Sequence, residues 1–169
     1  MTDFIKLISD TSKDIIYQLI NEEMEIEKRE TTKELELQEA ISVVSSFMSK
    51  KNSFQIIISF SDELVKKISS ASLGGLPIVT IDSESKYIVM EISKLIISNS
   101  VIFLDEYDEC CLLSNPIIID GDNITYSTDG VVKYIDFNLM NEKLTIAIFQ
   151  QEKIDYTCNM KMIEKNIYS

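Results

Sequence analysis

Residues 40–75 read AISVVSSFMSKKNSFQIIISFSDELVKKISSASLGG and carry two periodicities in succession. The segments 40–48 and 54–60 are rich in β-branched and aromatic residues, which suit a pleated, half-buried surface. Between them SKKNS supplies Ser and Asn side chains that bond to nearby backbone and favour a turn. The pair predicts a β-hairpin with Lys50 and Lys51 at its tip. From Ser61 onward the period changes: Leu64, Val65, Ile68, Ala71 and Leu73 line the inner side of a helix opened by Ser61-Asp62-Glu63. Gly74-Gly75 closes it, because glycine tolerates the positive φ found just beyond a helix end. A hairpin therefore feeds a helix.

The next helical stretch is SESKYIVMEISKLIISNS, residues 83–100. Ile88, Ile92, Leu95, Ile96 and Asn99 follow helical spacing along one flank, which is expected to be its buried side. Asp82 or Ser83 can cap the first turn, and Glu84 suits the positive end of the helix dipole. Tyr87, Glu91, Lys94 and Ser98 form a second stripe on the outer face. Spacing alone favours an ordinary solvated face, since a Glu–Lys pair one turn apart is common on surface helices and stabilises a helix by only about 0.2–0.5 kcal/mol.

Outward from these elements, Phe4, Ile5, Ile8, Ile15, Ile16, Leu19 and Ile20 predict an N-terminal helix over about residues 3–22. Residues 24–39 are charge-rich, with Met24, Ile26, Leu35 and Leu37 in alternation, as in one or two strands exposed on one side. VIFLDEYDE, residues 101–109, continues the second helix or forms a short strand, and Pro116 in CCLLSNPIIID marks a sheet edge or a strand end. Segments 124–127, 131–139 and 143–149, with turns at Asp129-Gly130 and at 140–142, read as an antiparallel meander. The expected class is α+β, an antiparallel sheet with long helices packed on one face. At 169 residues the chain is expected to form a single domain, with residues 150–169 as a C-terminal extension whose structure the pattern leaves open.

Charge and composition exclude several functions. With 28 acidic against 16 basic residues, the net charge of −12 repels nucleic acid and anionic membranes, and Lys66 and Lys67 sit beside Asp62 and Glu63. The absence of histidine removes imidazole ligation and every His-dependent nucleophile. Cys110, Cys111 and Cys158 have no C-x-x-C spacing, so no metal site is expected, and they read as buried small hydrophobes in a reducing compartment. The acidic N-terminal pattern is unlike a secretory signal, and no 18-residue apolar span occurs, so a soluble, cytoplasmic protein is expected.

The order of hairpin, Ser59-Phe60-Ser61 corner, capped helix with a central Glu, and Pro116 ahead of an apolar strand resembles the CheC, CheX and FliY family of chemotaxis phosphatases, on its CheX side. The resemblance spans about residues 1–150. Glu91 and Pro116 match the family pattern, whereas Tyr87 stands where the family has Asp or Ser, and Lys94 stands where it has Asn. Asn99 falls on the apolar flank, where the family also tends to carry a structural Asn.

The resemblance implies a CheY-like receiver as partner, bearing an acyl phosphate on an Asp beside its own magnesium ion, and no cofactor held by this chain. It implies that Glu91 is the catalytic-helix carboxylate that engages the receiver's Lys, with Tyr87, Lys94 and Ser98 on the partner-binding face, and that the chain forms a homodimer. The family Asn positions the attacking water by donating and accepting at once, and an ammonium only donates. Three functions therefore stay open: a working phosphatase of receivers, a receiver-binding adaptor with weakened catalysis, and an interaction domain outside chemotaxis.

Overall fold

The computed structural model describes residues 2–38, 41–49, 53–105, 111–121 and 123–150. The expected hairpin forms from β2 (Ile41–Ser49) and β3 (Ser53–Phe60), with Ile41 opposite Phe60 and Phe47 opposite Phe54. Its tip at Lys50 and Lys51 lies outside the described residues, as do Cys110, Cys158 and the extension beyond Gln150. At the Ser59-Phe60-Ser61 corner the chain passes into α2 (Asp62–Ser72), whose Leu64, Val65 and Ile68 are buried. Ser61 occupies the N-cap position, but its hydroxyl donates to Glu142 Oε2 at 2.7 Å, tying the corner to the sheet rather than capping the helix. Gly74 and Gly75 adopt φ of 72° and 88°, the conformation their missing side chains permit.

Around this nucleus lie α1 (Thr2–Ile20), β1 (Glu25–Leu37), α3 (Ser83–Asp105), β4 (Cys111–Leu113), β5 (Ile117–Asp120), β6 (Ile124–Leu139) and β7 (Glu142–Gln150). Residues 101–105 thus continue the helix. The sheet has seven strands in the order β1-β6-β7-β3-β2-β4, and β5 pairs with the same strand as β4. Every pairing is antiparallel. Pro116 falls between β4 and β5, at the sheet edge where its missing N–H leaves no gap in a ladder. Met140 and Asn141 have φ of 53° and 67°, and positive φ at both central residues suits the right-handed twist of the β6–β7 hairpin.

One face of the sheet packs under the helices. Val43, Ile58, Ile146 and Ile135 align across four strands and share a core with Phe4 and Ile8 of α1, Leu64 of α2 and Val89 of α3. Phe4 stacks against Phe54 and Phe47, with centroids 5.6 and 6.0 Å away, which pins the start of α1 to the hairpin.

The other face is also apolar. Val44, Ile57, Ala147 and Tyr134 form a cross-strand row and join Leu35 and Leu37 in a second cluster. Leu35 and Leu37 belong to a strand four places from β2 in the sheet order and are only 4% and 1% exposed, the burial expected where a sheet curls over its own outer face. The expected turn at Asp129-Gly130 is absent, and β6 runs through it. Between the Thr32–Val132 and Glu34–Ser127 pairs, β1 advances two residues while β6 advances five, so the extra residues form a bulge that bends the ribbon.

Beside the apolar row, Ser42, Ser59, Thr145 and Asp136 form a buried polar row. Ser42 Oγ lies 2.8 Å from Ser59 Oγ, Thr145 Oγ1 donates to Asp136 Oδ1 at 2.7 Å, and Lys143 Nζ is 3.3 Å from Asp136 Oδ2. Such partners offset the cost of removing these groups from water.

Candidate functional site

The start of α3 is fixed by Asp82. Its Oδ1 accepts from the Ser85 N–H at 2.8 Å and from the Ser85 hydroxyl at 2.9 Å. The backbone N–H, and after it the hydroxyl, hold the Asp82 carboxyl below its usual range. Lys86 forms an ion pair with Asp120, which fastens the first turn of α3 to β5.

The buried face of α3 differs from the expected flank. Ser85, Val89, Ser93, Ile96, Ile97 and Ser100 are buried, while Ile88 and Ile92 only partly pack against the core and Leu95 is 46% exposed. Serine explains the difference. Ser93 donates to the Val89 carbonyl at 2.7 Å and Ser100 to the Ile96 carbonyl at 2.7 Å, so both hydroxyls are satisfied within the helix. Their small side chains let the helix lie close to its neighbours, and a count of apolar residues places the inner line too far round.

Opposite that face, Tyr87 is 57% exposed, Glu91 and Ser98 are partly exposed, and the Lys94 side chain is half exposed. The structure places all four on one solvent-facing stripe, with Glu91 within it. Glu91 Oε1 and Lys94 Nζ stand 4.0 Å apart, too far for a hydrogen bond and at the limit of an ion pair. Two apolar residues also stand on this stripe: Leu95, which the sequence pattern places on the buried flank, and Ile102, which is 62% exposed and which the pattern leaves unassigned. Continuing the four-residue steps from Glu91 and Ser98 finds both. Asn99 is partly buried, away from Glu91.

The site is a convex helix face. An open trough of about 480 Å³ on the outer face of the sheet is lined by Lys28, Glu30, Tyr134, Asp136 and neighbours and includes none of these residues. Within it the Tyr134 hydroxyl donates to Glu30 at 2.7 Å, Lys28 pairs with Glu30 at 3.0 Å, and Lys143 Nζ lies 3.3 Å from Asp136 Oδ2. Among the described residues no group of three or more cysteine or acidic side chains is placed to hold a metal ion. A paired carboxylate and ammonium on a convex surface, flanked by exposed apolar side chains, cannot enclose a small substrate. They can meet a macromolecular surface that carries complementary charge.

No protein-family model and no curated protein sequence matches the chain. Solved structures do. Chemotaxis protein CheX from Vibrio vulnificus superposes with a TM-score of 0.79 at 16% identity, over 88% of this chain and 99% of that one. A CheC-like superfamily protein from Shewanella gives a TM-score of 0.77 at 20% identity, over 89% and 99%. CheX in the CheX–CheY–BeF3–Mg2+ complex from Borrelia burgdorferi gives 0.66 at 19% identity, over 90% and 100%. No helix among the described residues is long and apolar enough to cross a membrane. The chain has the fold of the CheC, CheX and FliY chemotaxis proteins.

Proposed function

We propose that this protein is a CheX-like chemotaxis component that engages a phosphorylated CheY-type receiver through the exposed face of α3, with Glu91 as the docking carboxylate. The observation that carries this reading is the position of Glu91. It stands on the solvent-facing stripe of α3, in a fold shared with a CheX solved in complex with CheY, and its 4.0 Å pairing with Lys94 is loose enough to exchange for a partner's cation. Tyr87 and Ser98 extend the same contact surface. The magnesium ion belongs to the receiver.

Dephosphorylation by this face is slow. Lys94 donates hydrogen bonds and accepts none, so it cannot hold a water in line with a phosphoryl group as an amide can. Loss of such a contact costs on the order of 2–4 kcal/mol of transition-state stabilisation. The protein works in the cytoplasm, where receivers are, and as a homodimer whose sheet edges are covered by pairing. The test follows decay of a phosphorylated CheY-type receiver with wild-type protein, Glu91→Ala and Lys94→Asn. Slow acceleration by the wild type, its loss in Glu91→Ala and its increase in Lys94→Asn support the proposal. Decay unaffected by all three, with no binding, refutes it.

A further inference from the structure

Resting on that reading, we infer that Lys94 is a specificity-determining residue by which α3 tells the phosphorylated receiver from the unphosphorylated one, through an exchange of ion-pair partners. In the free chain the ammonium of Lys94 faces Glu91 at 4.0 Å, and the two side chains are 50% and 42% exposed. Lys86, the other cation of α3, is already committed to Asp120. Lys94 is thus the cation that the outer face of this helix can offer a partner.

Docking changes its surroundings in a definite order. When Glu91 turns to a cation on the partner, Lys94 loses its carboxylate neighbour while water is being excluded from the interface, and an unpaired charge under those conditions disfavours the complex. A phosphoryl group on the partner supplies the missing anion, with three oxygens able to accept from the ammonium. An unphosphorylated partner supplies none. Because the free pair is exposed and longer than a hydrogen bond, little is lost in opening it, so the phosphoryl contact appears as a net gain. The same ammonium that binds the phosphoryl oxygens cannot orient water. Phosphoryl recognition and slow hydrolysis therefore share one cause.

The test measures dissociation constants for a CheY-type receiver with magnesium, with and without beryllofluoride, against wild type, Lys94→Met and Lys94→Arg. The wild type should prefer the beryllofluoride form by on the order of tenfold, the size of one charge-assisted contact. Lys94→Met should remove most of that preference, weakening the beryllofluoride form by loss of the phosphoryl contact and strengthening the inactive form by removal of the unpaired charge that opposes it. Lys94→Arg should keep the preference. Binding in which Lys94→Met leaves the preference intact, or weakens both forms equally, overturns the inference while leaving receiver binding standing. Absence of binding to either form by folded wild-type protein overturns the receiver reading and this inference with it.

Discussion

Replacing Phe4 by alanine tests how the helical layer that supports α3 is attached to the sheet. Phe4 is 2% exposed and stacks on both Phe54 and Phe47, which themselves stand 6.0 Å apart. Burial of such a ring contributes about 1.5–3 kcal/mol, and the unfilled cavity raises the expected cost of Phe4→Ala to about 3–5 kcal/mol. The Phe47–Phe54 contact survives, so the loss is that of one ring rather than of the cluster. For a chain of this length the melting temperature should fall by about 6–20 °C. The assay is a thermal melt followed by circular dichroism, with Tyr17→Ala, an exposed position on the same helix, as control. The control should change stability by no more than about 0.5 kcal/mol. Equal small effects of the two substitutions would refute the docking of α1 through Phe4.

Three further outcomes follow from the same packing and charge. Ser93→Leu should destabilise the protein by about 1–3 kcal/mol, because the added methylenes must be accommodated where α3 lies close to its neighbours; chemical denaturation checks it, and a neutral result would place Ser93 elsewhere. Glu91→Gln and Lys94→Met should each change stability by less than about 0.5 kcal/mol, since the pair is exposed and loose, so any effect on receiver binding is a surface effect. The Glu30 carboxyl is held below its usual range by the Tyr134 hydroxyl and then by the Lys28 ammonium. Its contribution is complete above the ordinary glutamate range and is lost as pH falls through the lowered native value, so Glu30→Gln should lower stability slightly at neutral pH, converge with the wild type in acid, and thereby flatten the acid limb of a stability–pH curve.

Much of this architecture was legible because local chemistry and global packing agree. The hairpin, the α2 corner and Gly74-Gly75 are fixed by β-branched runs, turn residues and positive φ, none of which needs distant partners. The bulge in β6 was not legible, because Asp129-Gly130 has the composition of a turn and only the pairing with β1 makes it a bend within one strand. The outer-face cluster that joins Leu35 and Leu37 to Val44 draws on five strands of the sheet, an arrangement no local pattern specifies. The stripe through Tyr87, Glu91, Lys94 and Ser98 was visible from spacing, but the inner face was misplaced because Ser93 and Ser100 count as polar in a pattern and behave as small, self-satisfied residues in the helix. Leu95 consequently moved from the expected core to the exposed surface.

The proposed receiver-binding surface is the exposed face of α3. Its most direct test is the change in backbone amide chemical shifts on adding a beryllofluoride-activated CheY-type receiver to isotopically labelled protein. Shifts should concentrate at Tyr87, Glu91, Lys94, Leu95 and Ser98 and be abolished by Glu91→Ala. Shifts confined to the outer-face trough around Lys28 and Tyr134, with α3 unchanged, would contradict it.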